Sequence, residues 1–83
     1  MDRQILEKHL AQVERHVEAG GRHVERQRAL VAALERYGHD TTAARKLLAS
    51  FEAIQQTHIE DRDRVAKELQ GLTAHGGRAA LHS

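Results

Sequence analysis

From Leu6 onward, apolar and small residues recur at alternating steps of four and three: Leu6, Leu10, Val13, Val17, Gly20, Val24, Gln27, Val31 and Leu34. That spacing keeps one stripe on one face of a helix and is the seam of a coiled coil. It predicts a helix over about residues 2–37. The pair Gly20 and Gly21 falls inside this span, and two interior glycines cost roughly 2 kcal/mol relative to alanine. The seam nevertheless keeps its phase across the pair, whereas a turn would reset it. One continuous helix is therefore expected, in preference to a chain of three helices.

The stretch "YGHDTT" interrupts the pattern. Gly38 is placed to take the left-handed conformation that closes a helix, and Asp40 can accept the first free amides of the next one. With a turn at 38–40, two helices joined so tightly must lie antiparallel. The second helix is expected over about 41–70, with Leu47, Leu48, Phe51, Ile54, His58, Ile59, Val65, Ala66, Leu69 and Leu72 on its apolar arc. Glu60 with Arg64 and Asp63 with Lys67 stand four apart in the favourable order on the wet side. Residues 73–83, with two glycines and no sustained period, are expected to form a flexible tail beyond a hairpin over 1–72.

Closing the hairpin sets Leu34 against Ala44, Val31 against Leu47, Val24 against Ile54, Val13 against Val65 and Leu6 against Leu72. Gln27 then meets Phe51. Gly20, with Gly21 beside it, meets His58 in a central layer where a small residue makes room for an imidazole. Two helices bury only one stripe each, leaving Leu30, Leu48, Ile59 and Leu69 partly wet. Exposed apolar edges of that length call for a partner, and the economical solution is a symmetric homodimer, two hairpins forming a four-helix bundle. The residues expected to carry the core and the dimer are Leu10, Val13, Val17, Val24, Val31, Leu34, Leu47, Phe51, Ile54, Val65 and Leu69.

Composition narrows the picture. An all-α chain of 83 residues without proline or cysteine is one small domain that no disulfide can staple. No run approaches the roughly 20 apolar residues that cross a bilayer. The start lacks a basic segment followed by an apolar stretch and a cleavage site, so a cytoplasmic protein is expected. Its 13 basic and 12 acidic residues nearly cancel, to a formal charge of +1. A balance of that kind supplies no electrostatic pull toward nucleic acid.

Seven histidines are the unusual feature. With Leu10, Val17, Val24 and Val31 at a positions, His9, His16 and His23 occupy g, flanking the core, while Lys8, Arg15, Arg22 and Arg36 occupy f, outside it. An imidazole there covers the core's edge while its nitrogens reach water. Residues seven apart on a helix are separated by about 10.5 Å, too far to share one ion. A metal site would need ligands from different helices, and His58 with Asp61 is the best local pair. Neither a resident metal nor any other cofactor is expected. In a pH-sensing reading, acidification near pH 5 to 6 would load the histidines with charge and loosen the assembly, with His58 as the trigger; the simpler expectation is a histidine-rich bundle that loses some stability in acid without biological purpose.

The strip Lys8, Arg15, Arg22 and Arg26, doubled in a dimer, provides possible phosphate contacts. The hairpin-dimer outline resembles that of the Rop-like plasmid RNA-binding proteins, although no motif is shared and no functional residue carries across. Glu14, Glu18 and Glu25 interrupt the strip, and it lacks aromatic side chains for stacking bases. Catalysis has less support still. Ser50 and Ser83 are the only serines, and no cluster sets a nucleophile beside a base. The chain reads as a non-enzyme.

The pattern "QR...L...GHDT..A..LL..FE..Q..H...R.R", carried by Gln27, Arg28, Gly38, Asp40, Thr41, Phe51, Gln55 and His58, resembles a kind of short hypothetical helical protein of alphaproteobacteria. The resemblance implies a bacterial source and a coiled-coil hairpin, with no activity to transfer. The expected role is interaction or scaffolding through homodimerisation, with another protein partner as a further possibility. A weak nucleic-acid-binding hairpin dimer and a histidine-based metal or pH sensor are the alternatives.

Overall fold

The computed structural model describes the backbone of residues 2–82 and the side chains of residues 2–72. It is an antiparallel hairpin of two helices, α1 (Arg3–Arg36) and α2 (Thr42–His82), with no strand among the described residues. The hairpin measures 69 × 17 × 15 Å. Its width is close to that of two packed helices, each about 10 Å across, so its only interior is the seam between them.

α1 starts at Asp2, whose carboxylate accepts from the Gln4 amide at 3.4 Å. It passes through Gly20 and Gly21 without a break. At its end Gly38 adopts φ +74°, the His39 amide donates to the Leu34 carbonyl at 2.8 Å and the Gly38 amide to the Glu35 carbonyl at 3.1 Å. These two bonds make a Schellman closure, and a side chain at position 38 would meet the steric penalty of the left-handed region. Asp40 Oδ1 then accepts from the Thr42 amide at 3.0 Å and from the Thr42 hydroxyl at 2.7 Å. These bonds hold the Asp40 carboxyl below its usual range, the backbone bond first and the hydroxyl second. The Thr41 carbonyl accepts the first helical amide, from Arg45, at 2.8 Å. Asp40 thus sits one residue outside the N-cap and tightens the turn from there.

α2 includes Gly71 and Leu72, so it does not stop at Gln70 as expected. No proline follows, and nothing lies within 4 Å of a Cβ built at Gly71, so a single glycine costing about 1 kcal/mol is its only local handicap there. The helical backbone of α2 runs on through His82, over most of the segment 73–83 expected as a flexible tail, and Ser83 lies outside the described residues.

The core is thin. Leu6, Val13, Val24, Val31 and Val65 are the buried apolar residues, and Gln27 is buried with them at 7% exposure. From the N-cap Thr41 along α2, the positions Ala44, Leu48, Phe51, Gln55, His58, Arg62, Val65 and Leu69 are buried or half-buried in an unbroken alternation of three and four, with Ile59, Asp61 and Ala66 half-buried beside them. This corrects the expected register at two layers. Leu48, not Leu47, and Gln55, not Ile54, are the half-buried positions, and Val24 lines a groove with Gln55. Leu47 and Ile54 are 47% and 53% exposed. Apolar character drew them onto the expected arc, but seven-residue phasing puts them one position outside the seam, on its flank.

Candidate functional site

At the middle of the hairpin, side chains reach across to the other helix's backbone. Gln55 Nε2 donates to the Val17 carbonyl of α1 at 2.7 Å, and Gln27 Nε2 donates to the Ala44 carbonyl of α2 at 2.9 Å. A helix carbonyl has a second lone pair free for such a bond. The two carboxamides therefore pin the register from both sides without opening either helix.

Gly20 makes the Gln55 bond possible. A Cβ at that position would collide with Gln55 Oε1, lie 3.0 Å from its Cδ and stand 3.4 Å from His58 Nδ1. At Gly21 the same atom would meet only Gln55 Nε2, at 3.7 Å, an ordinary contact. The first glycine thus admits a glutamine above all, with His58 next to it. The sequence reading of this layer missed Gln55. Its signal was positional, since residue 55 continues the alternation through Leu48, Phe51 and His58.

Beside this layer lies an open groove of about 340 Å³, lined by His16, Ala19, His23, Phe51, Ile54 and His58 among others. The His16 and His58 rings are 5.4 Å apart and tilted by 40°. His23 stacks on Phe51 at 5.8 Å. Two polar atoms there, His58 Nδ1 and Gln55 Oε1, are buried without a hydrogen-bond partner. Across the seam a second groove, of about 260 Å³, lies between Val24, Gln55, Ile59 and the Arg28 and Glu52 side chains. There Arg28 Nη2 bonds Glu52 Oε2 at 3.0 Å, and nearer the turn Arg45 pairs with Glu35.

The hairpin consequently has two unlike edges. One carries both of these interhelix ion pairs. The other carries Leu30, 47% exposed, with Leu47, Ile54 and the histidine flank. Of the remaining residues expected in the core or dimer, Val13, Val24, Val31 and Val65 are buried, while Leu10, Val17, Leu34, Phe51 and Leu69 are half-buried.

The other candidate residues are not gathered into a site. Asp61 Oδ1 is engaged by Arg64 at 3.2 Å. Among the described residues no group of three or more His, Asp and Glu is placed to hold a metal ion. Of the possible phosphate contacts, Arg22 is paired with Glu18 at 3.0 Å and Arg26 Nη2 lies 3.4 Å from His23 Nδ1. Lys8 and Arg15 are exposed. Among the described residues no helix is long and apolar enough to cross a membrane. Comparison with protein-family models, with curated proteins and with solved structures found no match.

Proposed function

We propose that this chain is a non-catalytic assembly module that pairs with a second copy of itself, two hairpins forming a four-helix bundle. The observation that carries the reading is the edge formed by Leu30, Leu47 and Ile54, each about half exposed. Among the described residues, a hairpin two helices thick has no third element to cover that edge. Burying it contributes about 25 cal/mol per Å² of apolar surface removed from water, whereas leaving it wet contributes nothing. A symmetric partner brings an identical apolar edge and needs no second gene product. The opposite edge carries the two interhelix ion pairs, Arg28 with Glu52 and Arg45 with Glu35, and presents less reason to associate.

The test is the molar mass in solution by light scattering on a sizing column at neutral pH. A mass of twice the 9.3 kDa chain supports the module. A single-chain mass across the micromolar range removes the self-assembly reading, and the edge must then be assigned to a different protein.

A further inference from the structure

We infer that the two hairpins pair with their turns at the same end, through the edge bearing Leu30, Leu47 and Ile54. This rests on the dimer reading above and settles its orientation. The edge is graded along its length. Toward the turn it presents Leu30 and Tyr37 from α1 and Leu47 and Ile54 from α2, all between 47% and 72% exposed. Further from the turn the same seven-residue phases present His9 and His16 from α1 and Asp61 and Glu68 from α2. The chain reverses direction at Gly38, so His16 lies level with Asp61, and His9 with Glu68. From Leu30 to His9 the edge changes character over about 31 Å of helix.

Two symmetric arrangements bring this edge against its own copy. With turns at opposite ends, the twofold axis crosses the rod, and the apolar half of each copy would cover the half bearing Asp61, Arg64 and Glu68. That buries carboxylates against leucine and isoleucine, a costly match. With turns together, the axis runs along the rod and every level meets itself. Leu30 and Leu47 then find the partner's Leu47 and Leu30. His16 stands opposite the partner's Asp61, and His9 opposite the partner's Glu68. Imidazole can donate to a carboxylate in either protonation state, so the distal half is complementary to itself at neutral pH. Arg64, paired with Asp61 in one chain at 3.2 Å, adds positive charge to the same level. Apolar meets apolar and donors meet acceptors only in this arrangement.

The described chain has no cysteine, so a single introduced one reports orientation directly. His39→Cys places a spin label on the exposed turn, away from the edge. Pulsed dipolar spectroscopy on the full chain is expected to give an inter-label distance below about 30 Å, since neighbouring helices pack about 10 Å apart. A dimer-sized particle with a distance near 50 Å, the length of a helix of 34 residues at 1.5 Å each, overturns the orientation and leaves the dimer standing. A monomer mass with no dipolar signal overturns both. As a cross-check, Gln4→Cys labels the far end of α1. Turns-together pairing predicts a short distance for each labelled chain alone and a long one between the two chains when mixed; opposite-end pairing predicts the reverse.

Discussion

The two long edges of this hairpin are built from the same seven-residue phasing, yet they solve the problem of facing water differently. One edge closes on itself, with Arg28 bonded to Glu52 at 3.0 Å and Arg45 paired with Glu35. The other leaves Leu47 and Ile54 about half exposed, with Ile54 lining an open groove. Exposed ion pairs contribute little stability, about 0 to 1 kcal/mol each, but they keep charge where water can reach it. Apolar side chains at equivalent positions gain only when something covers them. The asymmetry shows that the two flanks differ in how much apolar surface they leave to water.

The comparison breaks most readily at the apolar edge. Leu47→Glu combined with Ile54→Glu removes no buried intrachain contact, because neither residue belongs to the seam. It sets unpaired carboxylates into the proposed interface, and the dimer dissociation constant is expected to rise by a factor on the order of 100. Sedimentation equilibrium measures this, and circular dichroism should still report two helices. An unchanged dissociation constant would mean that association uses another face.

The layer between the edges gives the next largest effect, because its two glycines are not equivalent. Gly21→Ala is expected to raise stability by about 1 kcal/mol through helix propensity, the new methyl meeting Gln55 Nε2 at an ordinary 3.7 Å. Gly20→Ala gains the same propensity but must displace Gln55 and break its bond to Val17, which takes back about 1 kcal/mol. Urea unfolding should therefore place Gly21→Ala above the parent and Gly20→Ala near or below it. Equal gains at both positions would show that the Gln55 crossing contributes nothing.

On the charged edge, Arg28→Ala should shift stability by less than about 0.5 kcal/mol, since both partners are largely exposed. A larger loss, read in the same unfolding series, would show that this edge also bears load.

The smallest effect belongs to Asp40, which lies at the turn between the edges. Its carboxyl is held below the usual range by Thr42. Its contribution is therefore complete above the unfolded value, and it disappears as the pH falls through the lowered folded value. Asp40→Asn retains an acceptor but removes the charge. The difference in melting temperature between parent and variant should shrink on acidification from pH 5 to pH 2. A gap that stays constant would mean the ionised form has no preference for the folded turn.

Much of the hairpin was legible from local chemistry. The four-three seam of α1 continued through Gly20 and Gly21, and Gly38 closed the first helix by the left-handed conformation expected of it. These features depend on neighbours within a few residues, so sequence order contains what they need. Less of the central layer could be read. The alternation on α2 runs through Gln55 and Arg62, neither of them on the expected arc, where apolar character favoured Ile54 over Gln55. At Ile54 and Gln55 periodicity and hydrophobicity disagreed, and periodicity described the packing correctly.

By itself the sequence determined the all-helical content, the position and chemistry of the turn, and the antiparallel pairing that so short a connection enforces. Those follow from backbone sterics, capping and side-chain spacing, which act locally. Only the tertiary structure decided which flank each ion pair closes, that Gly20 admits a glutamine whose amide reaches Val17, and that Leu47 and Ile54 face outward. These depend on how one helix is rotated about its axis against the other. A rotation of one position, about 100°, carries a residue from seam to flank, and the pairing of both seams at once selects which residue that is.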